Sequence, residues 1–185
     1  MDRVFAFVAP GFEEVECLTV VDILRRAGIQ VLLTSVSSDL QVTGSHGITV
    51  VTDQRIDEAD FDSCDVLFLP GGVPGTPNLA ASDLLCRQLS RFSAQGKRIA
   101  AICAAPSVPG DLGLLEGYHV TCYPGWESHL RGAMYENTGV ITDRNITTGR
   151  GMGFAVDMGL ELVRILKGED TALKLKTGIQ HPDTL

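Results

Sequence analysis

Short apolar runs alternate with amphipathic stretches along most of the chain, and this pattern predicts alternating strands and helices. The predicted strands are 4–9, 31–36, 48–52, 66–70, 98–102, 119–123 and 145–149. The predicted helices cover about 13–27, 78–95, 104–116 and 153–167. Several strands are apolar on both faces, as in a parallel sheet covered by helices. The pattern therefore predicts an open, mostly parallel α/β sheet with helices on both faces.

Composition and length are those of an ordinary globular protein. The chain has 185 residues, of which 44% are hydrophobic and 21% charged, and we expect residues 1–185 to form one domain. Gly28, Gly96 and Gly168 lie where three of the predicted helices should end.

Charge and cysteine spacing exclude several classes of function. The net charge is −8 and no basic run is present, so we expect no nucleic acid partner. The apolar stretch 4–9 is too short for a signal peptide or a membrane span. The five cysteines are widely spaced, without CxxC or HxxxH pairs, which predicts no metal site. Together these features predict a cytoplasmic protein with reduced thiols.

Cys103 follows the buried strand 98–102 at the start of a predicted helix, in a turn called the elbow below. Unpaired N–H groups at a helix N-terminus favour a thiolate, so this position predicts a reactive cysteine with a lowered pKa. The small residues Ala104 and Ala105 suit a tight turn, and Pro106 is tolerated in a first helical turn. The alternative is a small buried hydrophobic side chain, because free cysteines are often buried.

Glu16 falls on the apolar stripe of its predicted helix, together with Val20 and Ile23. A carboxylate in that position either costs stability or has a partner, and the elbow sulfur at the same sheet edge is a candidate for proton sharing. The alternative is an acidic residue that the helix dipole favours, an explanation that suits Glu13 and Glu14 better.

Two glycine-rich segments and the C-terminal tail are further candidates. The segment 70–75 (PGGVPG) follows a strand, and its glycines could let N–H groups approach a ligand, although a plain turn explains them equally well. The segment 148–154 (TGRGMGF) lacks the G-x-G-x-x-G spacing of a dinucleotide site. The tail 180–185 (QHPDTL) contains a histidine and an aspartate, but we expect it to be solvated.

With these motifs in place, the chain resembles the ThiJ/PfpI superfamily, in the branch of the Parkinsonism-linked protein deglycase and its bacterial relatives. The resemblance rests on APGFEEVE, VDILRRAG, LPGG, AAICAAPS, TCYPGWE and GRGMGFA in that order. It implies a flavodoxin-like fold, also described as class I glutamine amidotransferase-like, with a strand-to-helix nucleophile elbow. It also implies a nucleophilic Cys103, a proton-sharing Glu16 and N–H groups at Gly71, Gly72 and Ala104 that bind an oxygen.

The sequence departs from this pattern at two places. Tyr123 stands where glyoxalase members of the family have a histidine, and tyrosine is a poor proton shuttle at neutral pH. Pro109 and Gly110 should bend or shorten the helix after the elbow.

Two relatives of the family are less compatible with the elbow. Ala104 lies where the superfamily's proteases have a histidine. The tail motif His181-Pro182-Asp183 is similar to the H-P-E of glutamine amidotransferases, but AICAA lacks their G-x-C-x-G.

The resemblance implies a cytoplasmic stress-response protein, a homodimer without a cofactor or a membrane partner. One hypothesis is a glyoxalase or deglycase that acts on methylglyoxal-like dicarbonyls or on glycated adducts. The alternative is a redox sensor or chaperone that acts through oxidation of Cys103. A glutamine amidotransferase-like role and a role in thiazole phosphate biosynthesis have less support. Within the sequence, Leu18 and Arg25 on the outer side of the first helix offer modest support for a dimer.

Overall fold

The computed structural model describes residues 2–184, whose regular elements are eleven strands, six α-helices and five short 3-10 helices. The strands are β1 (Arg3–Val8), β2 (Gln30–Ser35), β3 (Gln41–Thr43), β4 (Thr49–Val51), β5 (Gln54–Arg55), β6 (Val66–Leu69), β7 (Arg98–Ile102), β8 (His119–Val120), β9 (Met134–Tyr135), β10 (Val140–Asp143) and β11 (Ile146–Gly149). The α-helices are α1 (Glu14–Arg26), α2 (Gly75–Ala80), α3 (Asp83–Ala94), α4 (Ser107–Asp111), α5 (Ala155–Lys167) and α6 (Glu169–Gly178). The 3-10 helices are Ile56–Glu58, Phe61–Ser63, Glu127–His129, Met152–Phe154 and Pro182–Thr184.

The main sheet has seven strands in the order β10-β11-β7-β6-β1-β2-β5. Every neighbouring pair is parallel except β10 and β11, which form an antiparallel edge. Helices cover both faces of this open sheet, so the predicted flavodoxin-like α/β fold is confirmed. The carboxyl ends of β1, β6 and β7 lie at one edge, where the segments that carry the candidate site residues begin.

Two hydrophobic clusters account for the strands that are apolar on both faces. Alternate residues of β1 enter different clusters, with Val4 packed on the face of α1 and α5 and Phe5 on the face of α3. On the first face α1 and α5 pack closely because Gly159 has no side chain. A Cβ at that position would lie only 2.9 Å from Cβ of Ile23. This packing holds α1, the helix that carries Glu16, firmly against the sheet.

Two predicted strands lie outside the main sheet. Residues 49–51 form a two-stranded hairpin with β3, and residues 119–120 form a short separate ladder with β9. The strand predicted at 48–52 is confirmed as β4, but it does not join the main sheet and is mostly exposed, with Val51 69% exposed. The run 119–123 ends early as a strand because the chain turns toward the elbow. There the N–H group of Tyr123 donates to the carbonyl of Cys103, the residue after β7.

The predicted helices also differ in extent from those observed. The segment 78–95 is divided into α2 and α3, because the hydroxyl of Ser82 accepts from Leu85 N–H and starts a second helix. The segment 104–116 shrinks to α4, as the presence of Pro109 and Gly110 predicted. The strand β10 and the helix α6 were not predicted.

Helix ends follow the glycine signals in the sequence. Gly28, Gly96 and Gly168 all have positive φ angles, of 72°, 65° and 87°. A positive φ reverses the chain direction at low steric cost only for glycine, so these three helix ends are confirmed. Among residues 2–184, no helix has the length and apolar character needed to cross a bilayer.

Candidate active site

The elbow is a left-handed turn at a residue that is not glycine. Cys103 has a φ of 65°, a backbone conformation that residues other than glycine adopt only at an energetic cost. Its N–H donates to the carbonyl of Gly149 at 2.8 Å, and its carbonyl accepts from Tyr123 N–H at 2.8 Å. Hydrogen bonds on both sides therefore hold the turn, which directs the sulfur out of the line of the strand.

The helix that was expected to start at the elbow begins later. α4 starts at Ser107 and has only five residues, so its dipole does not act directly on Cys103. Two individual N–H groups, those of Ala104 and Gly72, act instead to lower the pKa of the thiol. Of the three N–H groups that the family resemblance implies, those of Gly72 and Ala104 affect the thiol, whereas that of Gly71 donates to Glu16. The expected helix terminus does not lie at the thiol.

Glu16 is 1% exposed and lies in the first turn of α1. Its Oε2 accepts a hydrogen bond from Gly71 N–H at 2.9 Å, and the nearby thiol of Cys103 acts to lower the pKa of its carboxyl group. The structure therefore brings together Glu16 in α1 and Cys103 after β7, two residues that are far apart in the sequence.

Gly71 separates these two side chains and has no room for a side chain of its own. A Cβ at position 71 would lie 2.6 Å from Oε2 of Glu16, 2.6 Å from Cβ of Cys103 and 3.0 Å from its sulfur. Gly72 is restricted as well, because its φ is 96° and a Cβ would lie 2.4 Å from the nitrogen of Glu13. Both glycines are therefore required for the close approach of these segments.

Burial and mutual repulsion prevent Glu16 and Cys103 from both being ionised. Burial, together with the negative charge of Glu13, raises the pKa of Glu16 to about 7, against the effect of its hydrogen bonds. Burial and the carboxylate of Glu16 raise the pKa of Cys103 to about 12, although the N–H groups of Ala104 and Gly72 act to lower it. The sequence-based expectation of a lowered thiol pKa is thus wrong, because burial is the largest influence on the thiol and raises its pKa.

The two groups behave as a pair that shares a proton. When Glu16 is protonated, its repulsion of the thiolate disappears, and the N–H groups of Ala104 and Gly72 then act to lower the thiol pKa against burial alone. The species with one proton on the pair thus includes a thiolate beside a neutral carboxyl group. This arrangement supplies a nucleophile and a proton carrier within one buried contact.

The four other cysteines lack such surroundings. All five thiols are free, and Cys17, Cys64 and Cys122 are completely buried. Burial raises the pKa of each of these three, and also that of the half-buried Cys86. Cys103 alone therefore combines a proton-sharing partner with partial exposure, since Cys86 is partly exposed but has no such partner.

Tyr123 lies beside the elbow but its hydroxyl group is not engaged. The side chain is 51% exposed and packs over Gly151, where a Cβ would lie 3.3 Å from the tyrosine Cδ2. Within residues 2–184 the phenol oxygen makes no hydrogen bond with Cys103 or Glu16, so its role stays a prediction.

None of the four histidines replaces the histidine that the family's glyoxalases use at position 123. The Nδ1 atoms of His119 and His129 lie 2.8 Å from carboxylates on other surfaces, and His46 contacts Glu14 at 3.1 Å. His181 contacts Asp157 on α5 at 3.3 Å and Asp183 at 3.6 Å. Within the described chain, the tail motif His181-Pro182-Asp183 is therefore not part of the elbow site.

Glu13 and Glu14 have specific hydrogen-bond partners, which their interpretation as acidic residues at a helix start did not predict. Oε2 of Glu13 caps α1 by accepting from Glu16 N–H at 2.5 Å. Glu14 is buried and accepts from the N–H groups of His46, at 2.8 Å, and Ile48, at 3.3 Å, which attaches the β3–β4 turn to α1. Glu13, Glu14 and His46 bring ligand-type atoms within 4.8 Å of one another, and these hydrogen bonds explain the cluster.

The protein has an open, mostly parallel sheet, with a strained cysteine elbow and a buried glutamate at one edge. These features define the class of α/β proteins with a thiol at the nucleophile elbow. Residues 2–165 match the DJ-1/PfpI family, and the chain belongs to that family. The resemblance in the sequence motifs is thereby confirmed.

Curated relatives extend the match over most of the chain. Protein dj-1beta of Drosophila melanogaster is 32% identical over 174 residues, covering 93% of this chain and 93% of that protein. The Parkinson disease protein 7 homolog of Danio rerio is 32% identical, with 94% of each chain covered. Protein DJ-1 homolog B of Arabidopsis thaliana is also 32% identical, but this chain spans only 39% of its length.

Solved structures of the family share the same fold. Oxidized DJ-1 of Toxoplasma gondii has a TM-score of 0.93 at 32% identity, with 97% of this chain and 98% of that chain covered. Drosophila melanogaster DJ-1beta has a TM-score of 0.92 at 31% identity, with 97% of each chain covered.

Proposed function

We propose that this protein is a cofactor-free, cysteine-dependent glyoxalase or protein deglycase, a cytoplasmic stress-response enzyme that acts on methylglyoxal-like dicarbonyls or their adducts. The observation that carries this proposal is the close approach of Cys103 and the buried Glu16 on the two sides of Gly71. The N–H groups of Ala104 and Gly72 add to it, because they favour the ionised form of the sulfur. A nucleophile, a proton carrier and two hydrogen-bond donors are the groups that addition to an aldehyde needs.

The first step is addition of the thiolate to the aldehyde carbon. Glu16 holds the thiol proton while the sulfur forms a bond to carbon, and the carbonyl electron pair moves to oxygen. The N–H groups of Gly72 and Ala104 are the donors available to stabilise that oxygen before it is protonated to a hemithioacetal.

The second step transfers one proton between the two carbons and one between the two oxygens. Glu16 as a carboxylate removes the hydrogen of the former aldehyde carbon and returns a proton to the neighbouring carbon, while the hydroxyl proton of the hemithioacetal passes to the ketone oxygen. The former aldehyde carbon is thereby oxidised to a thioester and the ketone carbon is reduced to an alcohol. Water then hydrolyses the thioester, which releases a 2-hydroxy acid and regenerates the thiol.

Turnover of methylglyoxal by the purified protein tests this proposal directly. We expect lactate to form with the wild type and to be lost in Cys103→Ser and strongly reduced in Glu16→Gln. Cys86→Ser is the matched control, because that thiol is also partly exposed but lies on α3. Equal turnover by wild type and Cys103→Ser would refute the enzymatic proposal.

A second candidate, a redox sensor or chaperone, has support from a specific observation. Tyr123 occupies the position of the catalytic histidine, whereas the Cys103–Glu16 pair is intact. Two equivalents of peroxide would oxidise the thiolate to a sulfinate and release two water molecules, and neutral Glu16 can donate a hydrogen bond to the product. One structural relative is named as an oxidized DJ-1. Mass spectrometry of Cys103 after mild peroxide treatment tests this candidate by the gain of two oxygen atoms.

We also propose that the protein is a homodimer. Val15, Ile48 and Val51 are exposed apolar residues at the start of α1 and on the adjoining hairpin, and their burial by a second copy would be favourable. The support first drawn from Leu18 and Arg25 is weaker, because Leu18 packs partly against the core and Arg25 pairs with Asp53.

A further inference from the structure

A closed ring of three hydrogen bonds connects Glu13, Gly71 and Glu16. Glu13 N–H donates to the carbonyl of Gly71 at 2.9 Å. Gly71 N–H donates to Oε2 of Glu16 at 2.9 Å. Glu16 N–H donates back to Oε2 of Glu13 at 2.5 Å. Each residue donates once and accepts once, so both the backbone and the side chain of Glu13 determine where the Glu16 carboxyl group lies.

Glu13 also adds a negative charge close to Glu16. The residue is only 9% exposed, so solvent screens this charge less than it would screen a charge at the surface. After burial, the charge of Glu13 is one of the causes that raise the pKa of Glu16, whereas the pKa of Cys103 depends on burial and then on Glu16, Ala104 and Gly72. Glu13 therefore acts on the sulfur through Glu16.

The other charged and titratable groups that face Glu13 come from α1 and the β3–β4 hairpin. Nδ1 of His46 lies 3.9 Å from Oε1 of Glu13, but the same ring nitrogen lies closer, 3.1 Å, to Glu14. When His46 is protonated, it therefore shares its charge between two carboxylates. Cys17 on α1 is buried near Glu13 and stays neutral, because burial strongly raises the pKa of its thiol.

We propose that Glu13 is a positioning residue that, through this ring of hydrogen bonds, holds the Glu16 carboxyl group against Cys103, and that its nearby negative charge favours the protonated form of Glu16. Glu13 thereby adds to the effect of burial on the pH at which the shared proton leaves the pair. The inference rests on the Cys103–Glu16 pair of the proposed function, but it requires no particular substrate.

This role makes a specific prediction for the alkylation rate of Cys103 as a function of pH. While the pair holds two protons, the thiolate population rises about tenfold per pH unit. Once the pair has lost one proton, the thiolate fraction is constant and the rate is level. The break between the two regimes lies at the pKa of Glu16, near 7 in the wild type. Above the break, the rate depends on how well Glu16 competes with the sulfur for the remaining proton.

The experiment compares iodoacetamide alkylation of Cys103, followed by peptide mass spectrometry from pH 5 to pH 9, in the full-length variants. Glu13→Gln removes the charge and retains an oxygen that accepts from Glu16 N–H. We expect its break to move down by about one pH unit, the scale for neighbouring partly buried charges. Its rate above the break should fall about tenfold, while its rate at acid pH equals that of the wild type.

Two further variants act as controls. Glu13→Asp retains the negative charge and a good capping side chain, so we expect its break to stay near that of the wild type. Asp22→Asn removes one charge from the exposed side of the same helix, where Asp22 pairs with Arg26, and should leave the whole profile unchanged. If Glu13→Gln does not fold, Glu13→Ser replaces it as a neutral residue with strong capping preference.

Three results would overturn the inference. One is a break that stays near pH 7 when Glu13 is neutral. Another is an equal change of rate at all pH values, which would indicate simple displacement of the sulfur. The third is an equal shift in Asp22→Asn, which would indicate a general charge effect. Because the readout is alkylation, the inference can fail while dicarbonyl turnover is observed, and it can hold where turnover is absent.

Discussion

The N–H group of Tyr123 donates a 2.8 Å hydrogen bond to the carbonyl of Cys103, so the tyrosine is attached to the elbow through its main chain. Its side chain is half exposed and does not take part in this hydrogen bond. Any residue except proline can supply the N–H, since proline alone lacks this donor. The structure of the elbow is therefore compatible with either histidine or tyrosine at position 123. Proton transfer by the side chain at this position, in contrast, depends on which residue is present.

The first prediction concerns the contribution of a titratable group at this position. Tyr123→His should increase the turnover number for methylglyoxal, because general acid–base assistance is typically worth about 10²–10⁴-fold. Tyr123→Phe should change turnover little, since the phenol makes no hydrogen bond with the proton-sharing pair. Steady-state kinetics of the three proteins measure both effects. Loss of turnover in Tyr123→Phe would show instead that tyrosine is itself a working catalytic group.

The second prediction is selective modification of Cys103. A limiting amount of iodoacetamide at pH 7 should label Cys103 first, because it alone combines partial exposure with a proton-sharing carboxyl group. Peptide mass spectrometry quantifies the labelling, and Cys86 is the internal comparison because it is also partly exposed. In denaturant all five thiols should react similarly. Preferential labelling of Cys86 in the native protein would contradict the assignment.

The third prediction follows from the raised pKa of Glu16, about 7 in the folded protein against an ordinary value of 4.5. Between these two values the unfolded chain loses the Glu16 proton and the folded protein retains it, so rising pH favours unfolding. The resulting loss of stability is complete above pH 7 and amounts to about 3 kcal/mol. Glu16→Gln cannot lose that proton, so its unfolding free energy relative to wild type should rise by this amount from pH 4.5 to pH 8.

Urea unfolding of both proteins at several pH values measures this difference. A difference that does not depend on pH would indicate that Glu16 ionises normally in the folded state. The same Glu16→Gln protein should also retain a sulfinate on Cys103 less well after mild peroxide, because the amide has no ionisable proton to share.

The fourth prediction concerns the absence of a side chain at Gly71. Gly71→Ala places a Cβ 2.6 Å from both Oε2 of Glu16 and Cβ of Cys103, so these groups must separate. We expect a loss of about 1–3 kcal/mol in stability and a strong decrease in Cys103 alkylation. Gly153→Ala is the matched control, since a Cβ there meets no atom within 4 Å. A Gly71→Ala protein that keeps the wild-type alkylation profile would show that the close contact is unnecessary.

The fifth prediction is the homodimer. Light scattering at micromolar concentration should give twice the chain mass of 19.8 kDa. Val51→Lys should shift the population toward monomer, because a charge would replace an apolar residue in the proposed contact. Leu173→Lys, which changes an exposed leucine on α6, should leave the dimer intact. A monomeric wild type would refute the proposal.

Residue patterns along the chain were sufficient to predict the fold class and the two central site residues. Strands that are apolar on both faces require covering helices, and this requirement is local enough to be read from the sequence. Cys103 at a strand end and Glu16 on an apolar helical stripe were singled out for the same reason, since each conflicts with its local pattern unless it has a partner. The family resemblance identified the glycines at 71 and 72.

The errors occurred where local pattern and tertiary environment disagree. The apolar run 48–52 has the composition of a buried strand but forms an exposed hairpin, and nothing within those residues indicates which face is covered. The lowered pKa expected for Cys103 neglected burial and the charge of Glu16, which both depend on segments distant in sequence. The role of Glu13 was missed because it depends on Gly71, distant in sequence, which accepts from the main-chain N–H of Glu13 while the Glu13 carboxylate accepts from Glu16 N–H.

The sequence alone thus determined which residue types stand at the sheet's carboxyl edge, because periodicity and strand ends are properties of neighbouring residues. The tertiary structure alone decided the distances among them and hence their protonation. Ionisation of a buried group depends on every charge and donor within a few ångströms, and folding brings those groups together from α1, the 70–75 turn and the elbow.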